Sequence, residues 1–211
     1  MTPMKEYYEK QAAGIIRHLE KRNMEGYYCP DCQTAVEKVM SMIPKNSTVS
    51  WGGSMTLEKC GLMDALKNSS LTLWDREAAS TPEEKKAAYR QAFGADYYLM
   101  SSNAITLDGQ LVNIDGTGNR VAALAYGPDH VILMVGMNKA ARDLHEAVSR
   151  VHNAAAPPNA MRLGMKTPCA STGACADCLS PDCICSQTVI TRYSRTPGRI
   201  KVILIGEALG Y

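Results

Sequence analysis

Thr48-Val-Ser-Trp51-Gly52-Gly53-Ser54-Met55-Thr-Leu-Glu58 puts three signals side by side. Residues 48–51 are rich in β-branched and aromatic side chains, Gly52 and Gly53 break the run, and from Met55 to Leu66 apolar residues return at helical spacing. The unit reads as strand, glycine turn and helix, and it recurs downstream. Residues 71–74, 96–100 and 131–135 read as strands. Residues 82–93 (behind Ser80-Thr81), 119–126 and 138–152 read as helices. Strands that alternate with helices need crossover connections, so they run parallel and are covered on both faces. The expected fold is a three-layer α/β/α arrangement around an open, mostly parallel sheet.

One interruption stands out. Ile105-Thr-Leu107 and Gln110-Leu-Val112 flank Asp108-Gly109, a tight-turn pair that predicts an antiparallel hairpin inserted into the alternation. Residues 188–193 and 201–205 read as the last two strands. Upstream, residues 7–24 have the pattern of an amphipathic helix, and a second helix runs from Cys29-Pro30-Asp31 to Ile43-Pro44. The chain therefore divides into a helical segment, 1–46, packed on the core, and an α/β domain, 47–211, that includes a cysteine-rich loop at 169–185.

With 211 residues, 45% hydrophobic and 21% charged, there is room for one substantial core and a small appendage. A net charge of +2 lacks the basic excess of a protein that neutralises many phosphates, so nucleic acid is not an expected partner. Lys5, Glu6, Glu9 and Lys10 interrupt the N-terminus where a secretory leader needs an apolar run. The longest apolar runs, 131–137 and 202–205, fall short of the roughly 18 residues of a membrane span. A soluble, cytoplasmic protein is expected, whose eight cysteines serve as thiols or metal ligands rather than disulfides.

The cysteines are unevenly placed. An even spread would put about 0.6 in a window of 17 residues, yet Cys169, Cys175, Cys178, Cys183 and Cys185 fall in one such window. Four thiolates close a zinc site or hold an iron–sulfur cluster, and Cys175-x2-Cys178 lets one turn present two sulfurs to one metal. The other gaps match neither the ferredoxin run nor the zinc ribbon, which leaves open a loop of free, redox-sensitive thiols. Cys29-Pro-Asp-Cys32 lies at a helix start and reads as structural, and Cys60 reads as core.

A separate set of residues suggests an anion site. Gly52, Gly53 and Ser54 lead from strand to helix, as do Asp115-Gly116-Thr117-Gly118-Asn119-Arg120, and Gly136-Met-Asn138-Lys139 follows a strand. Glycines let the backbone approach a ligand, and the edge beyond the strand C-termini is where open α/β sheets bind ligands. Arg120, Lys139 and Arg142 all fall at expected helix starts, where the helix dipole disfavours a cation unless an anion is bound nearby. Asn103 joins this candidate ligand-binding set. Glu58 and Asp115 are the only carboxylates adjoining it, and either is a candidate general base. No Ser/His/Asp or Cys/His nucleophile arrangement is legible, and His18, His130, His145 and His152 read as solvated or capping residues.

The segments Trp51–Glu58, Asp108–Ala122, Gly136–Lys139, Ala155-Ala-Pro-Pro-Asn159 and Pro197–Glu207, together with the cysteine run, resemble the LUD-domain family, the lactate-utilisation protein C group. The resemblance implies a fold similar to sugar-phosphate isomerases and CoA transferases, with ligands at strand C-termini. No residue here is assigned to the glutamate nucleophile of the CoA-transferase relatives. It further implies a component of lactate or organic-acid utilisation that binds a small anion (phosphate, carboxylate or CoA-like), working beside iron–sulfur oxidoreductase partner proteins or a second copy of itself. The alternative is a redox or assembly partner whose cysteine loop carries iron–sulfur or zinc.

Overall fold

The computed structural model describes residues 2–211. Helix α1 (Pro3–Glu20) starts where Thr2 accepts the Lys5 N–H and Pro3 supplies a pre-set first turn, and it buries Ala12, Ile15 and Leu19. Strand β1 (Glu25–Cys29) follows, then α2 (Cys32–Met42), capped by Asp31. The segment expected to be helical thus contributes a strand as well. Five residues, four of them only partly buried, are too short a run to show alternation. Gly26 allows the pairing of layers here, because a Cβ would stand 2.9 Å from the Ile16 side chain of α1.

The chain continues through β2 (Thr48–Trp51), α3 (Met55–Lys59), α4 (Leu62–Lys67), β3 (Thr72–Leu73) and α5 (Pro82–Gln91). Helix α5 opens on a complete capping box between Thr81 and Glu84. Next come β4 (Tyr97–Met100), β5 (Ala104–Thr106), β6 (Leu111–Asp115), α6 (Asn119–Ala125), β7 (His130–Gly136) and β8 (Ala140–Ala141). The last elements are α7 (Leu144–Arg150), α8 (Ala156–Arg162), α9 (Pro168–Thr172), β9 (Gln187–Thr191) and β10 (Ile200–Ile205).

Six strands form one wholly parallel sheet in the order β1-β10-β7-β4-β2-β3. Its centre is doubly buried, as the unbroken apolar runs of β7 and β10 require. Val131, Leu133 and Val135 face the core that holds Ile15 and Leu19 of α1 and Leu124 of α6. Ile132 and Met134 face the opposite core, with Val39 of α2, Leu57 of α3 and Leu62 and Leu66 of α4. Each such side chain contributes roughly 1.5–3 kcal/mol of burial. Helices on both faces make the three layers that alternation predicts.

Four strands form a second, mixed sheet in the order β8-β5-β6-β9. The hairpin of β5 and β6 is antiparallel, and Gly109 in its turn has φ +82°. Strand β9 lies outside the parallel sheet and pairs antiparallel with β6. Its side chains are mostly exposed, which suits an edge and not a doubly buried position. The single helix expected over 138–152 is also redrawn. Met137–Lys139 is a 3-10 turn, β8 follows, and Asp143 caps α7. Pro157 and Pro158 lack the N–H that a regular ladder needs, and the backbone passes through a π-turn, Val151–Ala155, before α8. Among the described residues, no helix is long and apolar enough to cross a membrane.

Candidate functional site

A cleft of about 270 Å³ opens beyond the C-terminal ends of β2, β4, β7 and β10, where the second sheet stands over the first. Each strand delivers a short turn to it: Gly53–Thr56 after β2, Ser101–Asn103 after β4, Lys139 after β7, and Gly210-Tyr211 after β10.

Lys139 lines the cleft as a buried cation. Its side chain is buried, with 4% of the residue exposed, and Nζ donates to Thr56 Oγ1 and Ser101 Oγ at 3.0 Å each. Both hydroxyls give their own hydrogens to carbonyls, Thr56 to Leu209 O and Ser101 to Ser102 O, so they face the amine as acceptors. Lys139 has no ion-pair partner among the described residues. Burial, with the charges of Arg150 and Arg120 adding to it, brings its pKa down to about 7.

Arg120 presents the opposite case. Nε donates to Asp115 Oδ1 at 2.8 Å. Nη1 donates to Ser101 O and Asn113 Oδ1, and Nη2 to Asn103 Oδ1, Ile114 O and Asp115 Oδ1. Every guanidinium hydrogen has an acceptor inside the protein, and the charge is matched by Asp115 at 2.5 Å. Asp115 Oδ2 also accepts the Val121 N–H of α6. Both residues line the cleft and form a clamp between the two sheets, in which each Asp115 oxygen accepts a hydrogen bond. Asn103 shares that clamp, since its Oδ1 also accepts the Ile114 N–H.

Of the expected ligand-binding residues, Gly53, Ser54, Asn103, Asp115, Gly116, Asn119, Arg120 and Lys139 line the cleft, whereas Gly52 and Asn138 do not. A Cβ at Gly52 would stand 3.0 Å from Arg120 Cγ, so this glycine makes room for the clamp. Asn138 Oδ1 accepts the Leu209 N–H at 3.0 Å and ties down the C-terminal segment. Glu58 is exposed on α3, outside the cleft. Arg142 is exposed too and pairs with Asp143, while Lys139 sits in a 3-10 turn, so of the three cations only Arg120 occupies a helix start.

Sequence reasoning missed Thr56, Ser101 and Arg76. Ser101 follows directly on the buried strand β4, a position that marks a strand C-terminus. Arg76 lies in a 3-10 turn with no motif around it, and it reaches the cleft by packing over the Tyr89 ring at 5.7 Å. It forms no ion pair among the described residues, and a side chain at Gly53 would collide with its guanidinium.

The five cysteines of the loop line a second cavity of about 90 Å³, together with His152. Cys175 Sγ lies 3.6 Å from His152 Nδ1, a thiol–imidazole contact that residues 23 apart gave no sign of. Asp177 N–H donates to Cys175 Sγ and Cys185 N–H to Cys183 Sγ, both at 3.4 Å. Burial, then neighbouring Cys183, Cys175 and Cys169, pushes the Cys185 thiol up to about 12. Ile184 and Cys185 line both cavities. Among the described residues, no group of three or more His, Cys, Asp or Glu side chains is disposed to hold a metal ion. Elsewhere, Cys32 Sγ and Cys60 Sγ touch at 2.6 Å in the α2–α3 core, where burial raises both thiols, and all eight cysteines are free.

A family model described as the LUD domain matches residues 12–205. A crystal structure of a DUF162 family protein from Deinococcus radiodurans superposes with TM-score 0.53 at 10% identity, covering 94% of this chain and 98% of that one. That likeness is one of fold. The δ subunit of eIF2B from Chaetomium thermophilum aligns at TM-score 0.35 and 18% identity over 56% of this chain and 50% of that one, too slight a likeness to bear on the fold. No curated protein matches the chain.

Proposed function

The chain belongs to the LUD-domain family, and from that premise we propose that it is a cytoplasmic component of lactate or organic-acid utilisation whose cleft binds a small anion through Lys139. One observation carries the reading: a buried amine, held by two neutral hydroxyls, faces the cleft with no ion pair to any carboxylate among the described residues. An ammonium taken out of water is unstable unless paired, and a bound carboxylate or phosphate is the partner that this site lacks. Arg76 adds a second uncompensated cation on the same wall. The volume of about 270 Å³ is at the lower limit of small-molecule sites, which favours a compact anion or the terminal group of a CoA-like molecule over a whole dinucleotide. Iron–sulfur oxidoreductase proteins are its expected partners in that pathway.

Thermal unfolding tests the proposal with inorganic phosphate, L-lactate and CoA as separate probes. The wild type should gain several degrees with at least one of them, and Lys139→Met should gain none while remaining folded. Equal stabilisation of the two proteins, or none of the wild type by any probe, would remove the reading.

A further inference from the structure

We infer that the loop 169–185 is a thiolate site for a soft metal, with Cys175, Cys178, Cys183 and Cys185 as its ligands. Five cysteines line one cavity of about 90 Å³, and four of them lie on a stretch, 173–186, that contains neither helix nor strand. Those four form two close pairs. In each pair the first sulfur accepts a backbone N–H from two residues downstream, Asp177 onto Cys175 and Cys185 onto Cys183. An N–H directed at sulfur orients a thiol in the way that outer hydrogen bonds orient the ligands of a metal site. The same local geometry is repeated at both pairs.

The turn between Cys175 and Cys178 carries a further mark. Asp177 has φ +46°, a left-handed conformation for a non-glycine residue, and it brings the N–H onto the Cys175 sulfur. His152 lies against that sulfur from the π-turn, with Nδ1 3.6 Å away. The fifth cysteine, Cys169, sits on α9 and bonds the Thr167 hydroxyl at 3.3 Å, so it borders the cavity from a regular element. In the arrangement described the thiols ring the cavity without converging on one point, and binding has to turn them inward. As the metal binds, each ligating Cys–SH loses its proton to solvent and becomes a thiolate, with no change of oxidation state in the protein. Zinc ion and an iron–sulfur cluster share this chemistry.

The test uses the full chain, purified without oxygen. Metal and acid-labile sulfide are assayed first, because zinc alone or iron with sulfide then names the source. The chelator-stripped protein is next titrated with Co²⁺, whose thiolate-to-metal charge-transfer absorption reports sulfur ligation directly. The expected result is saturation at one cobalt per chain, displacement of cobalt by zinc, and loss of the absorption in Cys175→Ser/Cys183→Ser. Cys60→Ala, outside the loop, should titrate as the wild type does, which separates a lost site from a lost fold. Absence of the absorption in the wild type, its survival in the double variant, or its disappearance in Cys60→Ala would each overturn the inference.

Discussion

The Lys139 amine lies 3.0 Å from the Ser101 hydroxyl, across the gap between the ends of β7 and β4, and it forms no ion pair among the described residues. Its pKa of about 7, against an ordinary value of 10.5, has a definite consequence for stability. The unfolded chain holds this proton up to the ordinary value and the folded chain only to about 7, so between those limits the unfolded state binds more protons. Wild-type stability should therefore rise with pH across that window, by this group's contribution, and be flat in it below about 7. Lys139→Met removes the penalty and should be more stable than the wild type by about 1–3 kcal/mol at pH 6.5, with the gap closing toward pH 9.5. Urea unfolding of both proteins at several pH values checks this, and parallel profiles would contradict it.

Anion binding should show the reverse trend. The charged amine attracts a carboxylate and the neutral amine does not, so affinity is highest where Lys139 is protonated. L-Lactate suits the experiment because its carboxylate stays ionised throughout. Its stabilising effect on the wild type should fall as pH rises from about 7, since the charged form becomes the minor one. A pH-independent shift would mean that the ligand does not meet this amine.

Arg120→Ala should fail in a different way from Lys139→Met. It leaves the Asp115 carboxylate buried without its cation and strips a donor from Asn113, Asn103 and two carbonyls. Breaking a buried pair from one side costs about 3–5 kcal/mol. Denaturant unfolding should show a loss of that size in the absence of any ligand. A loss under about 1 kcal/mol would mean that the clamp is not what joins the two sheets.

What the sequence made legible follows the range of its signals. The doubly buried strands β7 and β10 and the Asp108-Gly109 hairpin are local patterns, and both appear where expected. Strand β1 was hidden because it is short and lies at the sheet edge, and the neighbour of β9 was not legible because pairing partners are set by long-range packing. At the site, motif reading pointed to Lys139, to Arg120 and to the turns that line the cleft with them. Only the positions of Asp115, Asn113 and Asn103 around the Arg120 guanidinium reveal a residue whose donors are all taken. Arg76 and the Cys175–His152 contact lacked any local pattern, since each depends on how distant segments meet.

Gly109 joins two such segments. It has φ +82°, and a Cβ there would stand 3.0 Å from the backbone nitrogen of Leu19, so the hairpin turn sits directly on the end of α1. Around it, Arg22 donates to Asp108 O at 2.7 Å and pairs with Asp108 Oδ2, and His18 Nδ1 meets Leu107 O at 3.0 Å. Gly109→Ala adds both left-handed strain and overlap with backbone that cannot rotate away, and should cost about 1–3 kcal/mol. The damage should be local to the second sheet: hydrogen exchange is expected to accelerate in β5 and β6 while β7 and β10, buried on both faces, keep their protection. Acceleration confined to β7 and β10, or a variant as stable as the wild type, would show that the turn does not anchor the second sheet to α1.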